Sequence, residues 1–301
     1  MSLARLPDPR AARAWCAARA EGSTLGFVPT MGALHEGHIG LVRRSVSENE
    51  RTCVSVFVNP LQFDDPLDLE RYPRDLDADA ELLEAAGCDM VFTGTLAGFF
   101  PEASSPAEIP RREPGPAAVG LEGAFRAGHF AGVATIVARL FALVVPDRAY
   151  FGEKDFQQSL VVHRVARELG YPRIEVCPTA REPDGLARSS RNLLLSGEGR
   201  RRAVGVSAAL FATRRAWRAG ERDAATLRAR LAEALARGGI EAEYAALRDP
   251  ERWSASEPTG PLERARALVA ARVDGVRLID TLALDGDDPE PAPEGAARAE
   301  P

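Results

Sequence analysis

The sequence predicts an α/β protein in which a Rossmann-like parallel sheet with helices on both faces is followed by a smaller α+β C-terminal domain. Two observations carry this prediction. Up to residue 177, short apolar, β-branched segments alternate with segments of helical periodicity, and strands joined by helical crossovers form parallel sheets. Beyond about residue 192, a long Ala-, Arg-, Glu- and Leu-rich stretch precedes short strand-like segments.

The elements of the first domain follow from local patterns of hydrophobicity and from Gly and Pro stop signals. The predicted strands are residues 25–28, 52–58, 89–93, 148–151 and 174–177. The predicted helices are residues 38–49, 75–86, 132–145 and 157–169. Residues 99–120 contain five prolines and predict an irregular connection.

The C-terminal part has a different composition. A helical segment is predicted over residues 200–239, and short strands at residues 241–248, 267–269 and 276–279. The tail has six acidic residues against one arginine and is rich in proline and alanine, so it is predicted to be disordered. The expected domains are residues 1–179, residues 180–283 and the tail at residues 284–301.

The composition excludes several classes of protein. The chain of 301 residues is 45% hydrophobic and 27% charged, enough to bury a sizeable core. Most of the net charge of −6 lies in the tail, and a nearly neutral body argues against nucleic-acid binding. No apolar run is long enough to span a bilayer, and the N-terminus lacks an apolar signal segment. Four widely spaced cysteines without a CxxC pair are typical of reduced thiols, so we expect a cytoplasmic protein without membrane contacts.

The first motif, residues 29–38 (PTMGALHEGH), leads from a strand through a glycine-containing turn into a helix. A helix N-terminus offers backbone N–H groups and a partial positive charge that suit phosphate. His35 and His38 are three positions apart, so both rings can point the same way and donate to phosphate oxygens. The spacing does not match the HExxH zinc pattern. Ordinary helix-cap residues are the alternative, but the glycines and the preceding strand favour phosphate binding.

The second motif, residues 59–63 (NPLQF), follows the second strand. Asn59 and Gln62 are neutral amides, which bind a carboxylate or hydroxyl groups without a strong ion pair. A carboxylate held in this way remains able to act as a nucleophile. A simple capping turn explains the same residues equally well.

The third motif, residues 152–158 (GEKDFQQ), again joins a strand to a helix. Lys154 is the only lysine among the 38 Lys and Arg residues, which indicates a need for a compact ammonium where a guanidinium does not fit. Gly152 permits close approach, Asp155 can cap the helix or accept from a ribose hydroxyl, and Gln158 follows in the first helical turn. The alternative for Lys154 is a surface residue.

The fourth motif, residues 188–192 (RSSRN), follows Asp184 and Gly185. Two hydroxyls and a guanidinium can form a mobile clamp on a polyphosphate, since Arg191 can engage two oxygens at once. A serine-rich linker between domains is the alternative, and a linker is also where a closing loop is expected.

Together the four motifs supply many donors for a polyphosphate and no base–nucleophile pair. This combination suits in-line attack on a nucleotide phosphate, in which the protein mainly positions groups and neutralises charge. The chain has no GxxxxGK[ST] loop, which excludes a Walker-type site.

Several longer segments resemble the pantoate–β-alanine ligases (pantothenate synthetases). They are FVPTMGALHEGHIGLVRR (27–44), SVFVNPLQF (55–63), RYPRDLDAD (71–79), LEGAFRAGHFAGVATIV (121–137), DRAYFGEKDFQQ (147–158), REPDGLARSSRN (181–192) and GVRLID (275–280). That family belongs to the nucleotidyltransferases with HIGH- and KMSKS-like signatures. Residues 35–38 stand for the first signature and residues 188–191 for the second.

The resemblance implies a two-step reaction in which ATP and (R)-pantoate give pantoyl adenylate, which β-alanine then attacks to give pantothenate and AMP. The implied catalytic residues are His38, His35 and Lys154. The implied ATP-binding residues are Met31, Gly32, Ala33, Leu34, His35, Glu36, Gly37, His38, Gly152, Glu153, Lys154, Asp155, Ala180, Arg188, Ser189, Ser190 and Arg191. The implied pantoate-binding residues are Gln62, Gln158 and Asn59, and Gln62 also serves β-alanine.

The resemblance also implies Mg²⁺ bound with ATP, a homodimer, and a C-terminal domain that acts as a lid. Such an ion keeps several waters and needs few protein ligands, and Asp79 is a candidate for one of them. Arg188 departs from the family pattern, which usually has Met or Leu before the two serines.

Two other classes of protein are compatible with part of this pattern. A different adenylyl- or cytidylyl-transferring enzyme should lack the Gln62 and Gln158 pair. A non-catalytic nucleotide-binding protein should have lost Lys154, His38 or the Ser-Ser-Arg clamp. All of these residues are present.

Overall fold

The computed structural model describes residues 2–290; Met1 and residues 291–301 lie outside the described part. The chain divides into two compact units, one with residues up to 152 and 156–177, the other with residues 153–155 and those from 178 onward. The division therefore falls two residues before the predicted boundary after residue 179, and the short segment 153–155 groups with the second unit.

The first unit is built on a parallel sheet of six strands. They are β1 (Ala4–Leu6), β2 (Leu25–Thr30), β3 (Arg51–Val56), β4 (Met90–Phe92), β5 (Arg148–Gly152) and β6 (Arg173–Cys177). Their spatial order is β1-β4-β3-β2-β5-β6, and every neighbouring pair is parallel. The order of the strands reverses between β2 and β5. Open α/β sheets bind ligands at the carboxyl ends of the strands beside such a reversal.

Helices cover both faces of this sheet. They are α1 (Pro9–Ala17), α2 (Glu36–Glu48), α3 (Pro66–Arg71), α4 (Leu76–Ala85), α5 (Leu96–Phe99), α6 (Glu122–Phe125), α7 (His129–Val144) and α8 (Phe156–Leu169). Helices α1, α7 and α8 contribute to one buried apolar cluster, and α2 and α4 contribute to another. Phe27 on β2 belongs to the first cluster and the next residue, Val28, belongs to the second. This alternation is expected of a strand with a core on each side.

The fold class predicted from the sequence is confirmed. Each strand and helix predicted for the first domain is present, with ends that shift by up to three residues. The helices α1, α3, α5 and α6 and the strand β1 were not predicted. The three residues of β1 are too few to show a period. What defines β1 is its pairing with β4, in which Ala4 is opposite Met90 and Leu6 is opposite Phe92.

The second unit combines two helices with an antiparallel sheet. Its elements are α9 (Gly197–Arg218), α10 (Ala224–Arg237), β7 (Glu241–Arg248), β8 (Arg266–Val273) and β9 (Val276–Ala283), with sheet order β7-β8-β9. The helical segment predicted over residues 200–239 is thus two helices, separated near Gly220. Asp274 and Gly275 join β8 to β9 with positive φ angles of 51° and 77°, as a two-residue hairpin turn requires.

The prediction that the tail is disordered from residue 284 is wrong for residues 284–290. Leu284 is fully buried in the apolar cluster of the second unit. The carboxylates of Asp288 and Glu290 lie 3.9 and 3.6 Å from the guanidinium of Arg214, which is itself buried. Composition alone missed these contacts because the arginines that receive the acids are on α9, far away in sequence. Residues 291–301 lie outside the described part.

The four cysteines are free thiols and are buried. Burial raises the pKa of the Cys88 thiol to about 12. In the part of the chain that the structure describes, no helix has the length and apolar character that crossing a membrane requires.

Candidate active site

Between β2 and α2 the chain makes a tight turn held by the carboxylate of Asp79. Gly32 and Ala33 both have positive φ angles, 84° and 50°, which are unfavourable for a residue with a side chain. Asp79 Oδ2 accepts from the backbone N–H of Ala33 (3.1 Å), and Oδ1 accepts from that of Leu34 (2.7 Å). A Cβ atom on Gly32 would lie only 2.9 Å from Asp79 Oδ2. The glycine and the buried carboxylate together define the shape of this turn.

Asp79 is 3% exposed, and burial raises its pKa although the two backbone hydrogen bonds favour the charged form. Within residues 2–290, no cluster of three or more His, Cys, Asp and Glu side chains could hold a metal ion. The two backbone hydrogen bonds to Ala33 and Leu34 make Asp79 the anchor of the turn. Each oxygen keeps one lone pair beyond its backbone contact, so the predicted metal contact remains a prediction.

His35 and His38 lie together at the N-terminus of α2. Their ring centroids are 4.1 Å apart. His35 Nδ1 accepts from the N–H of Gly37 at 3.1 Å, and His38 Nδ1 lies 3.4 Å from the backbone nitrogen of His35. Because Nδ1 is the acceptor in both rings, the proton of each neutral imidazole is on Nε2. Both the capping alternative and a donating Nε2–H are thus compatible with the same geometry.

Asn59 follows β3, and its side-chain amide forms hydrogen bonds with other groups of the protein. Asn59 is 2% exposed, and its Oδ1 accepts from the N–H of Leu61 at 3.2 Å. Its Nδ2 donates to Gln62 Oε1 at 2.9 Å and to the carbonyl of Gly132 at 3.3 Å. Asn59 therefore caps the turn that follows it, as the alternative interpretation of this motif predicts. Contact of Asn59 with pantoate remains a prediction.

Gln62 joins the first two motifs. Its Nε2 lies 3.2 Å from the sulfur of Met31, which links the ends of the neighbouring strands β2 and β3. Asn59 orients the Gln62 amide by occupying Oε1. The turn that carries Gln62 (Pro60–Gln62) thus presents an oriented neutral amide beside the glycine turn.

Helix α7 sets the position of the Gln62 backbone. A Cβ atom on Gly132 would lie 2.0 Å from the carbonyl oxygen of Leu61 and 2.7 Å from the nitrogen of Gln62. The Gln62 carbonyl lies 2.9 Å from His129 Nδ1 and 3.4 Å from a guanidinium nitrogen of Arg126. Sequence reasoning assigned no role to these residues, although a glycine inside a strongly apolar helix is a known sign of close packing.

The two glutamines at the start of α8 differ. Gln157 is 3% exposed; its Oε1 accepts from the N–H of Glu122, and its Nε2 donates to the carbonyls of Ala117 and Gly120. Gln157 thus fixes the preceding loop, a role that the sequence did not indicate. Gln158 is half-buried in the first turn of α8, and its contact with pantoate remains a prediction.

In the second unit, Lys154 lies on a short helical turn (Glu153–Asp155) that is packed against β9. Its Nζ is 3.8 Å from Asp155 Oδ2, and its side chain is mostly buried, with 19% exposed. Arg266, on β8, donates to Glu153 Oε1 at 2.5 Å. A largely buried ion pair next to Lys154 therefore restrains the turn.

The residues of the fourth motif follow a small hairpin. Arg188 N–H donates to the carbonyl of Ala180 at 2.9 Å, and Arg181 and Ala187 form a bridge. The Arg188 guanidinium lies 3.1 Å from the Glu182 carboxylate on the opposite strand of the hairpin. Ser189 then caps the helical turn Ser190–Leu194 by accepting from the N–H of Arg191 at 3.3 Å.

The structure therefore brings together His35 with His38 and Met31 with Gln62 in the first unit. In the second unit, β9 contacts both the turn of Lys154 and the turn that begins at Ser190. A glycine turn at a helix N-terminus, paired imidazoles and an oriented amide at neighbouring strand ends are features of α/β proteins that bind a nucleotide with a small second ligand.

Comparisons with known proteins identify which of these it is. A family model described as pantoate-beta-alanine ligase matches residues 6–283. The pantothenate synthetase of Gluconobacter oxydans (strain 621H) is 47% identical over 263 residues, which are 87% of this chain and 94% of that protein. The crystal structure of pantothenate synthetase from Thermus thermophilus is 44% identical, with a TM-score of 0.85, and the match covers 94% of this chain and 99% of that one.

A pantoate-beta-alanine ligase from Francisella tularensis, complexed with beta-gamma ATP and β-alanine, is 30% identical with a TM-score of 0.76. That match covers 95% of this chain and 99% of the other. The chain belongs to the pantoate–β-alanine ligase family and is an enzyme of the ligase class.

Proposed function

We propose that this enzyme makes pantothenate in two steps through pantoyl adenylate. In the first, a pantoate carboxylate oxygen attacks the α-phosphorus of ATP and pyrophosphate leaves. In the second, the amine of β-alanine attacks the acyl carbon, loses a proton, and expels AMP. The observation that carries the proposal is the pair of neighbouring strand ends where the glycine turn, the His35–His38 pair and the Gln62 amide meet.

The chemistry of the first step requires positive charge and hydrogen-bond donors more than a base. A phosphoryl-type transfer is accelerated mainly by positioning and by neutralising the charge that develops on phosphate oxygens. The proton on Nε2 makes His38 and His35 donors toward such oxygens. Lys154, Ser189, Ser190 and Arg191 supply the remaining donors that we assign to ATP.

Pantoate requires neutral groups around its carboxylate, because the carboxylate is the nucleophile. A neutral amide orients the acid without the ion pair that would stabilise the ground state. We assign this role to Gln62 and Gln158, with Gln62 also binding β-alanine. Asn59 contributes by holding Oε1 of Gln62, so that the Gln62 amide group is oriented before the substrate arrives.

We propose that the required divalent ion is Mg²⁺ and that it binds together with the ATP phosphates. Mg²⁺ retains waters and commonly takes only one or two protein carboxylates. The remaining lone pairs of Asp79 suit a single such contact, direct or through water. The ion would offset phosphate charge during the attack.

An AMP-release assay with ATP, pantoate and β-alanine, omitting each in turn, tests the function. We expect AMP only when all three are present, and pyrophosphate from ATP and pantoate alone. AMP formation independent of pantoate, or with another acid in its place, would overturn the assignment. Repeating the assay with EDTA, and then with Mg²⁺ restored, tests the ion. Light scattering of the protein eluted from a size-exclusion column tests the expected homodimer.

A further inference from the structure

We infer that Arg181 is a positioning residue for the reaction: by binding Asp280 on β9, it holds the hairpin that presents Ser189–Arg191 to ATP. The inference rests on the proposed function, because the value of that position depends on ATP binding there. Among the described residues, Arg181 bonds to Gly185, Asp280 and Thr281, none of which is assigned to a substrate, so it acts through the hairpin.

The contacts of Arg181 converge on β9. Its Nη1 and Nη2 donate to the two carboxylate oxygens of Asp280 at 2.7 and 3.0 Å. The side chains are 11% and 3% exposed. Nη2 also donates to the carbonyl of Thr281 at 3.2 Å, and Nη1 to the carbonyl of Gly185 at 3.1 Å. A planar guanidinium paired in this way fixes direction as well as distance, which one lysine ammonium cannot do.

Hydrogen bonds of the hairpin connect Arg181 to the Ser189–Arg191 clamp. Its strands are joined by Glu182 N–H to the Leu186 carbonyl (2.8 Å) and by Arg188 N–H to the Ala180 carbonyl (2.9 Å). Asn192 then donates to the Ala187 carbonyl at 3.0 Å, which ties the turn beginning at Ser190 to the same hairpin. Arg181 therefore attaches a short, mostly backbone-bonded assembly to β9.

The same sheet holds the other candidate ATP segment of this unit. Arg266 on β8 binds Glu153 beside Lys154, as Arg181 binds Asp280 on β9. A buried ion pair adds little net stability compared with well-packed apolar side chains. Two such pairs, one at each candidate ATP segment, are therefore better explained by a need for fixed geometry than by a need for stability.

The chain offers a matched control for a buried arginine. The guanidinium carbons of Arg181 and Arg214 lie over the same ring, Phe211, at 5.1 and 4.8 Å from its centroid. Both arginines face carboxylates, but the partners of Arg214 are Asp288 and Glu290 instead of Asp280. Neither partner of Arg214 belongs to the hairpin, so replacing Arg214 removes a buried cation from the same ring and leaves the Arg181–Asp280 pair in place.

The experiment compares Arg181→Met with Arg214→Met. For Arg181→Met we expect the KM for ATP to rise about tenfold or more, while the KM for pantoate stays within about twofold. Amide hydrogens of the hairpin should exchange at least about tenfold faster. Arg214→Met should leave the KM for ATP within about twofold.

Two outcomes would overturn the inference: an unchanged KM for ATP in Arg181→Met, or equal changes in both variants and for every substrate. If Arg181→Met does not fold, Arg181→Lys and Asp280→Asn replace it. Lys keeps the charge but loses the paired geometry, so its KM for ATP should lie between those of the wild type and Asp280→Asn. An Arg181→Lys enzyme with the wild-type KM would again contradict a positioning role.

The failure of this inference and that of the proposed function are distinguishable. If the wild type binds ATP but makes no AMP from pantoate and β-alanine, the proposed function fails. The dissociation constant for ATP, measured by calorimetry on the same variants, then still decides the role of Arg181. If the wild type does not bind ATP, both proposals fall.

Discussion

Asp79 Oδ1 lies 2.7 Å from the backbone nitrogen of Leu34, although the two residues are 45 positions apart in the sequence. With the second contact, to Ala33, a buried carboxylate on α4 shapes the turn that precedes α2. The turn that we assign to ATP is therefore built from two distant segments. Its geometry depends on a residue outside the glycine motif.

Replacing Asp79 by Asn should loosen this turn. An amide keeps one acceptor oxygen but turns an NH₂ group toward the second backbone N–H, so one buried donor loses its partner. We expect the free energy of unfolding to fall by about 1–3 kcal/mol and ATP to bind more weakly. Urea unfolding and calorimetric titration with ATP check this.

Asp77→Asn is the matched control, because Asp77 is also in the first turn of α4 but is exposed and pairs with the exposed Arg5. It should change the free energy of unfolding by less than about 0.5 kcal/mol. Equal losses in the two variants would indicate a general effect of charge at the helix N-terminus.

We expect the contribution of Asp79 to the free energy of unfolding to depend on pH. Burial raises its pKa above the ordinary value of 3.8, so the folded chain takes up a proton at a higher pH than the unfolded chain. The contribution of Asp79 to stability therefore grows as the pH falls through its folded pKa, and it is smallest at neutral pH. Compared with Asp79→Asn, the wild type should gain stability between neutral pH and 3.8, as urea unfolding in that range will show. A relative loss would mean that the folded pKa lies below the ordinary value.

Gly132→Ala should displace the turn that carries Gln62. The added methyl group would lie 2.0 Å from the Leu61 carbonyl oxygen, so either the turn or α7 must move. We expect a loss of about 1–3 kcal/mol in stability and a higher KM for pantoate. Gly40→Ala is the control: it is an exposed helix position with no atom within 4 Å of the new Cβ, and it should stabilise the chain by up to about 1 kcal/mol. A normal KM for pantoate in Gly132→Ala would remove Gln62 from the proposed pantoate site.

His38→Ala should impair adenylate formation more than the reaction with β-alanine. The imidazole Nε2–H is assigned to the phosphate oxygens, and losing one such donor typically costs about 10²–10³ in rate. Supplying preformed pantoyl adenylate separates the two steps. His163→Ala, at an exposed position on α8, should leave both steps unchanged. If His38→Ala slowed both steps equally, a role confined to adenylation would be excluded.

Lys154→Ala should abolish most of the first step with little loss of stability. Among the described residues, the ion-pair partner of Lys154 is Asp155 at 3.8 Å, a contact worth no more than about 1 kcal/mol. The rate of pyrophosphate release, compared with the melting temperature, checks both parts. Lys154→Arg should recover only part of the rate, because a planar guanidinium does not replace a compact ammonium. If the Lys154→Arg enzyme were fully active, the only lysine of this chain would have no functional reason to be a lysine.

The sequence by itself determined the fold class, most element positions and the candidate ligand-binding segments. These depend on local periodicity, on Gly and Pro stop signals, and on motifs that are contiguous in the chain. Only the tertiary structure decided which side chains hold those segments in place: Asp79 under the glycine turn, Gly132 under Gln62, and Arg181 on Asp280. Such contacts join residues that are far apart in sequence, and each depends on the distance at which two separate elements pack. No local pattern encodes such distances. For the same reason composition predicted disorder for residues 284–290, whose order comes from the burial of Leu284 and from arginines far away in sequence.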